Sequence, residues 1–153
     1  MRAADYDLLE RQVRALLEDE RDFIANAANF AAFVYMELSG INWAGFYLPA
    51  SDGLVLGPFA GKPACTRLPK GQGVCNRAFS EMRTVVINDV SAIADHIYCD
   101  SASRSEMVVP LIADGRARGV FDLDSPELAR FSAPEDQAGI ERLVASFLEV
   151  TSV

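Results

Sequence analysis

"EMVVPLIADGRARGVFDLDS", residues 106–125, reads as two strands folded back on each other around "ADGR". Asp and Gly in that tetrapeptide supply the turn chemistry. The second run, "GVFDLDSP", alternates. On a strand, Phe121 and Leu123 share one face, while Val120, Asp122 and Asp124 share the other. The apolar face is expected to pack on helices. The opposite face carries two carboxylates about 7 Å apart, two residues along one strand. Acids on an antiparallel strand ordinarily mean a solvated face. Here the partner run, "EMVVPLI", is apolar on both faces, so neither side is simply wet.

Working outward, "FSAPED" opens a C-terminal helix over 134–151, with Ser132 as cap, Glu135 three residues on and Pro134 in the first turn. Ile140, Leu143, Val144 and Leu148 give that helix its buried stripe. Upstream, "TVVIND" (84–89) is a strand, 90–105 a loop with a helical turn, 74–82 a short helix, and 57–73 a long irregular loop. "NWAGFYLPASDGLVLGPF" (42–59) is another hairpin, turning at "ASDG" and placing Trp43, Gly45 and Tyr47 on one face. Residues 1–38 are N-terminal helices. Leu8, Leu9, Val13 and Leu16 mark the first apolar stripe; Phe23, Ala27, Phe30, Val34 and Leu38 mark the second. "SGIN" (39–42) ends them. This order predicts a single α+β domain over 1–153: an antiparallel sheet with the terminal helices on one face and the two long loops over the other.

The chain has 153 residues and a net charge of −8. That charge excludes broad nucleic-acid binding, which needs clustered Lys and Arg. No apolar run approaches the ~18 residues of a membrane span, and the polar, acidic start lacks a secretory core. Three cysteines without an export signal point to a reducing, cytoplasmic setting, where thiols do chemistry more often than bracing.

Those thiols are Cys65, Cys75 and Cys99. Structural zinc sites bring ligands in close pairs; here nine and then twenty-three residues intervene, and only His96 could complete a set. No metal or other cofactor is expected. Free cysteine is often a buried, inert small hydrophobe. Cys65 and Cys99, however, sit in loops rich in turn residues and charge, which favours reactive thiols. Trp43 and Tyr47 form an aromatic wall near Asp122 and Asp124, and Glu106 adds a third acid. Carboxylates beside aromatic faces suit a small cation.

"GPFAGKPACTRLPKGQGVCNRAF" (57–79), "VSAIADHIYCDSASRSEMVVPL" (90–111) and "GVFDLDSP" (119–126) together resemble the free methionine-(R)-sulfoxide reductases, small proteins of the GAF fold. The resemblance covers residues 20–150. It implies that Cys99 is the nucleophile, Cys65 the resolving thiol, and Cys75 a third thiol that assists resolution or shapes the pocket. Trp43, Tyr47, Glu106, Asp122 and Asp124 fall on positions that line the substrate pocket. The implied substrate is free L-methionine (R)-sulfoxide. The implied route runs through a Cys99 sulfenic acid and a Cys65–Cys99 disulfide, regenerated by thioredoxin. Homodimer formation stays open. Two positions depart from the family pattern: Asn76 stands for a glycine and Tyr98 for a small residue. The rival readings are a non-catalytic GAF ligand-binding domain and a thiol redox sensor.

Overall fold

The computed structural model describes residues 3–97 and 99–153; Tyr98, one of the two departures, lies outside them. The elements run α1 (Tyr6–Leu17), α2 (Phe23–Glu37), β1 (Trp43–Ala50), β2 (Gly53–Gly61), β3 (Arg67–Pro69), α3 (Gly73–Glu81), β4 (Val85–Ile87), β5 (Ser105–Ala113), β6 (Arg116–Ser125) and α4 (Pro134–Val150). The strands form one antiparallel sheet in the order β3-β2-β1-β6-β5-β4. The hairpins β1-β2 and β5-β6 meet through β1 and β6, so each hairpin contributes one strand to the centre of the sheet.

One face is dry. Phe46, Met107, Phe121 and Leu123 project from it against Phe30 of α2 and Phe147 of α4, all fully buried. Phe30, Phe46, Phe121 and Phe147 meet in tilted and edge-to-face contacts at centroid distances of 4.9–6.0 Å. Such aromatic clusters add stability beyond their buried area. The other face carries Trp43, Tyr47, Val108 and Val120 and is roofed by α3 and the loops on either side of it.

Three expectations need correction. The α1 stripe is Tyr6, Leu9, Val13 and Leu17, while Leu8 and Leu16 are 41% and 46% exposed. The apolar periodicity admits both choices, and packing against α4 selects one. Ser132 does not cap α4: the N-cap is Ala133, with Pro134 opening the helix and Glu135 and Asp136 acidic in its first turn. Proline's fixed φ and the helix dipole replace the side-chain cap. Finally, 57–73 is not one irregular loop. Strand β2 continues to Gly61, and Arg67–Pro69 pairs along its far edge, with Leu54 opposite Leu68. What remains of the loop around Cys65 is short and anchored at both ends.

Candidate active site

Register builds the site. Across β5, β6 and β1, Glu106 lies beside Asp124, and Asp124 beside Trp43; one step along, Val108 lies beside Asp122, and Asp122 beside Gly45. Neighbouring strands sit about 4.8 Å apart, so three carboxylates and an indole share one small patch. Gly45 leaves room for the indole. A Cβ there would lie 2.6 Å from Trp43 Cη2 and 2.3 Å from Phe59 Cβ. The indole therefore lies flat on the sheet, stacked on Phe59 at 5.4 Å and on Tyr47 at 5.9 Å. Gly45→Ala is expected to tilt that ring, costing about 1–3 kcal/mol of stability. It should also lower kcat/KM for any ligand packed on the indole; melting curves and steady-state kinetics together check both effects.

The aromatic pair also holds the roof. The Trp43 indole N–H donates to the Lys62 carbonyl at 3.1 Å, and the Tyr47 hydroxyl to the Cys65 carbonyl at 2.8 Å. Asn76, buried at the start of α3, donates to the carbonyls of Pro69 at 2.9 Å and Gln72 at 2.8 Å. A glycine at 76 has no such donor, so the departure ties the β3 end to the helix. From the opposite loop, Asp95 accepts the Gly73 N–H at 3.2 Å, and Ser103 Oγ accepts from Asn42 at 3.3 Å.

Cys65 and Cys99 meet across this roof in a disulfide, with their Cα atoms 5.4 Å apart. Cys75 is a buried free thiol beneath it. The cavity is about 50 Å³, lined by Trp43, Tyr47, Cys75, Glu106, Asp122 and Asp124 among others. That holds a few waters.

The acids stand in an unusual state. Asp122 and Glu106 are 5% and 6% exposed, and Asp122 Oδ1 and Glu106 Oε1 make no hydrogen bond among the described residues. His96 Nε2 lies 3.3 Å from Glu106 Oε1, an ion-pair approach. Burial first, then the charges of Asp124 and Glu106, push the Asp122 carboxyl well above the usual carboxylate range. Asp124 is raised for the same reasons, burial first and then Glu106. Burial, reinforced by Asp122, also raises the Cys75 thiol, which is therefore a poor source of thiolate.

Because folded Asp122 holds its proton more tightly than the unfolded chain does, its contribution to stability is present at low pH. It is lost as pH rises from about 4, the unfolded carboxylate value, through the raised folded one. Asp122→Asn is accordingly expected to stabilise the ligand-free protein at neutral pH by about 1–3 kcal/mol. That corresponds to a Tm gain of roughly 2–10 °C and should flatten the dependence of Tm on pH above about 4, as melts at a series of pH values would read.

The structure thus brings together Cys65 with Cys99, and Cys75, Trp43, Tyr47, Glu106, Asp122 and Asp124 around one cavity. The sequence reading missed Gly45, Asn42 and the clamp made by Asn76. A glycine inside a strand pattern beside an aromatic was the available signal for Gly45; Asn42 and the carbonyls that Asn76 binds carry none.

The sheet order, the roofed pocket and a match of the GAF domain family to residues 22–151 define a GAF domain. The free methionine-R-sulfoxide reductase of Escherichia coli is 46% identical over 95% of this chain and 87% of its own length. The chain belongs to the free methionine-R-sulfoxide reductase family. The enzyme of that name from Neisseria meningitidis, solved in complex with its substrate, superposes with a TM-score of 0.89 at 44% identity, covering 97% of this chain and 92% of that one. The reduced form of fRMsr of Staphylococcus aureus superposes with a TM-score of 0.91 at 43% identity, covering 96% and 95%.

Proposed function

We propose that this chain reduces free L-methionine (R)-sulfoxide to methionine, with Cys99 as nucleophile and Cys65 as resolving thiol. The observation that carries the reading is the Cys65–Cys99 bridge beside a pocket that combines an aromatic wall with three clustered acids. In the dithiol form the loops part and admit the substrate. Its S-methyl group packs on the Trp43 indole, since an apolar wall favours a methyl. Its ammonium meets the carboxylates of Glu106 and Asp124 in charge-assisted hydrogen bonds. The Cys99 thiolate attacks the sulfur. Asp122, whose burial keeps it protonated, gives its proton to the sulfoxide oxygen. The oxygen passes to Cys99 as a sulfenic acid and methionine leaves. Cys65 then condenses with the sulfenic acid, expelling water and forming the disulfide. A dithiol protein, thioredoxin by family resemblance, reduces it by exchange. A cytoplasmic setting supplies such a reductant.

Cys75 fits neither thiol role well: its pKa is raised by burial and by the acids around it, so it stays protonated. The test is turnover of the reduced protein with each sulfoxide epimer and a thioredoxin system, followed through NADPH. Consumption with the (R) epimer alone supports the reading. Oxidation of the thiols without turnover would return the chain to the sensors, and binding without oxidation to the ligand-binding GAF domains.

A further inference from the structure

We propose that the pocket also binds a borderline-soft divalent cation, Zn²⁺ by donor type, on Cys75 Sγ and one carboxylate oxygen each from Glu106 and Asp122. The three ligand atoms lie within 4.8 Å of one another. They come from three elements, α3, β5 and β6. All three residues are buried, at 5%, 6% and 5% exposure for Cys75, Glu106 and Asp122. Asp122 lines the cavity and its Oδ1 accepts no hydrogen bond among the described residues; nor does Glu106 Oε1, which has His96 Nε2 at 3.3 Å as its charge neighbour.

Bonds of roughly 2.0–2.3 Å would span that separation after small side-chain rotations. A sulfur ligand disfavours Ca²⁺ and Mg²⁺, while a mixed sulfur and carboxylate set suits zinc. A cavity of about 50 Å³ admits the ion and a water as fourth ligand. On binding, the Cys75 S–H and Asp122 O–H bonds break, the Sγ–metal and carboxylate–metal bonds form, and both protons leave to solvent; no electron moves. The spacing of the cysteines along the chain hides this set, because two of its three members are acids that only the β5-β6 pairing brings to Cys75. The ion would occupy the place that a ligand's ammonium takes, so it should compete with any cationic ligand of the pocket. The inference stands on the site's geometry and does not require the reductase reading.

Cobalt(II) is the probe. In the disulfide form Cys75 is the chain's one remaining thiol, so a thiolate-to-cobalt charge-transfer band reports this site alone. The band is expected to saturate at one ion per chain, to bleach when Zn²⁺ is added, and to be absent in Cys75→Ser. Asp122→Asn keeps the thiol and is expected to weaken cobalt binding by roughly 10- to 100-fold; should Cys75→Ser fail to fold, this variant decides. The double variant Cys65→Ser/Cys99→Ser, whose loops are not bridged, should give the same band, so slow entry cannot conceal the site. No band in either the disulfide form or the double variant overturns the proposal. So does a band that survives Cys75→Ser, or an affinity unchanged by Asp122→Asn.

Discussion

Cys99→Ser is expected to abolish turnover, whereas Cys65→Ser should release about one methionine per site and then stop. The order of events in the proposed cycle dictates the contrast: attack comes first and resolution second. A serine hydroxyl is no substitute for a thiolate at neutral pH, so Cys99→Ser loses the chemical step outright. With Cys65 gone, Cys99 still attacks, but its sulfenic acid finds no partner at 5.4 Å between Cα atoms. Cys75 lines the pocket as a buried thiol with a raised pKa, so rescue through it should be slow. Rapid-quench measurement of methionine in a single turnover separates the two variants. Steady-state activity retained in Cys99→Ser would remove Cys99 from the mechanism. A Cys65→Ser enzyme that cycles at the wild-type rate would pass the resolving role to Cys75.

The second large effect concerns the substrate. N-acetyl methionine sulfoxide should be a poor substrate compared with the free amino acid. Its amide is neutral, so Glu106 and Asp124, set side by side across β5 and β6, lose the cation that the ammonium would bring. Leaving such a group unpaired costs about 2–4 kcal/mol, a loss of roughly 30- to 1000-fold in kcat/KM. The same argument separates free methionine sulfoxide from the oxidised residue inside a protein, which has no ammonium to offer. Equal kcat/KM for the two compounds would show that the acids do not read the ammonium, and the substrate class would need reopening.

Much of this fold is readable in the chain because its signals are local. The hairpins announce themselves through alternation and through "ASDG" and "ADGR", and both appear where expected, as β1-β2 and β5-β6. Strand β3 escapes notice because it is three residues long and ends in Pro69, with Gly71 two residues on; only its pairing with β2 makes it a strand. The α1 stripe is displaced because Leu8, Leu9, Leu16 and Leu17 form adjacent apolar pairs, and a periodicity alone cannot choose between them.

The site divides the same way. Asp122 and Asp124 on one face follow from a strand's period of two. Asp124 lying between Glu106 and Trp43 follows from register between distant strands, which no window of sequence contains. The partnership of Cys65 with Cys99 came from resemblance to a family, since spacing gave no preference among the three thiols.

The short anchored segment between β2 and β3 carries a kinetic consequence. Trp43 and Tyr47 fasten the backbone at Lys62 and Cys65, and the two strands fasten its ends. A thiol held this way explores a small volume. In the proposed cycle its effective concentration at a sulfenic acid on Cys99 would be correspondingly high, because ordering that a freely diffusing thiol would have to undergo is already built into the sheet. Condensation should outrun the competing encounter with a second oxidant, which would drive Cys99 on to the irreversible sulfinic acid.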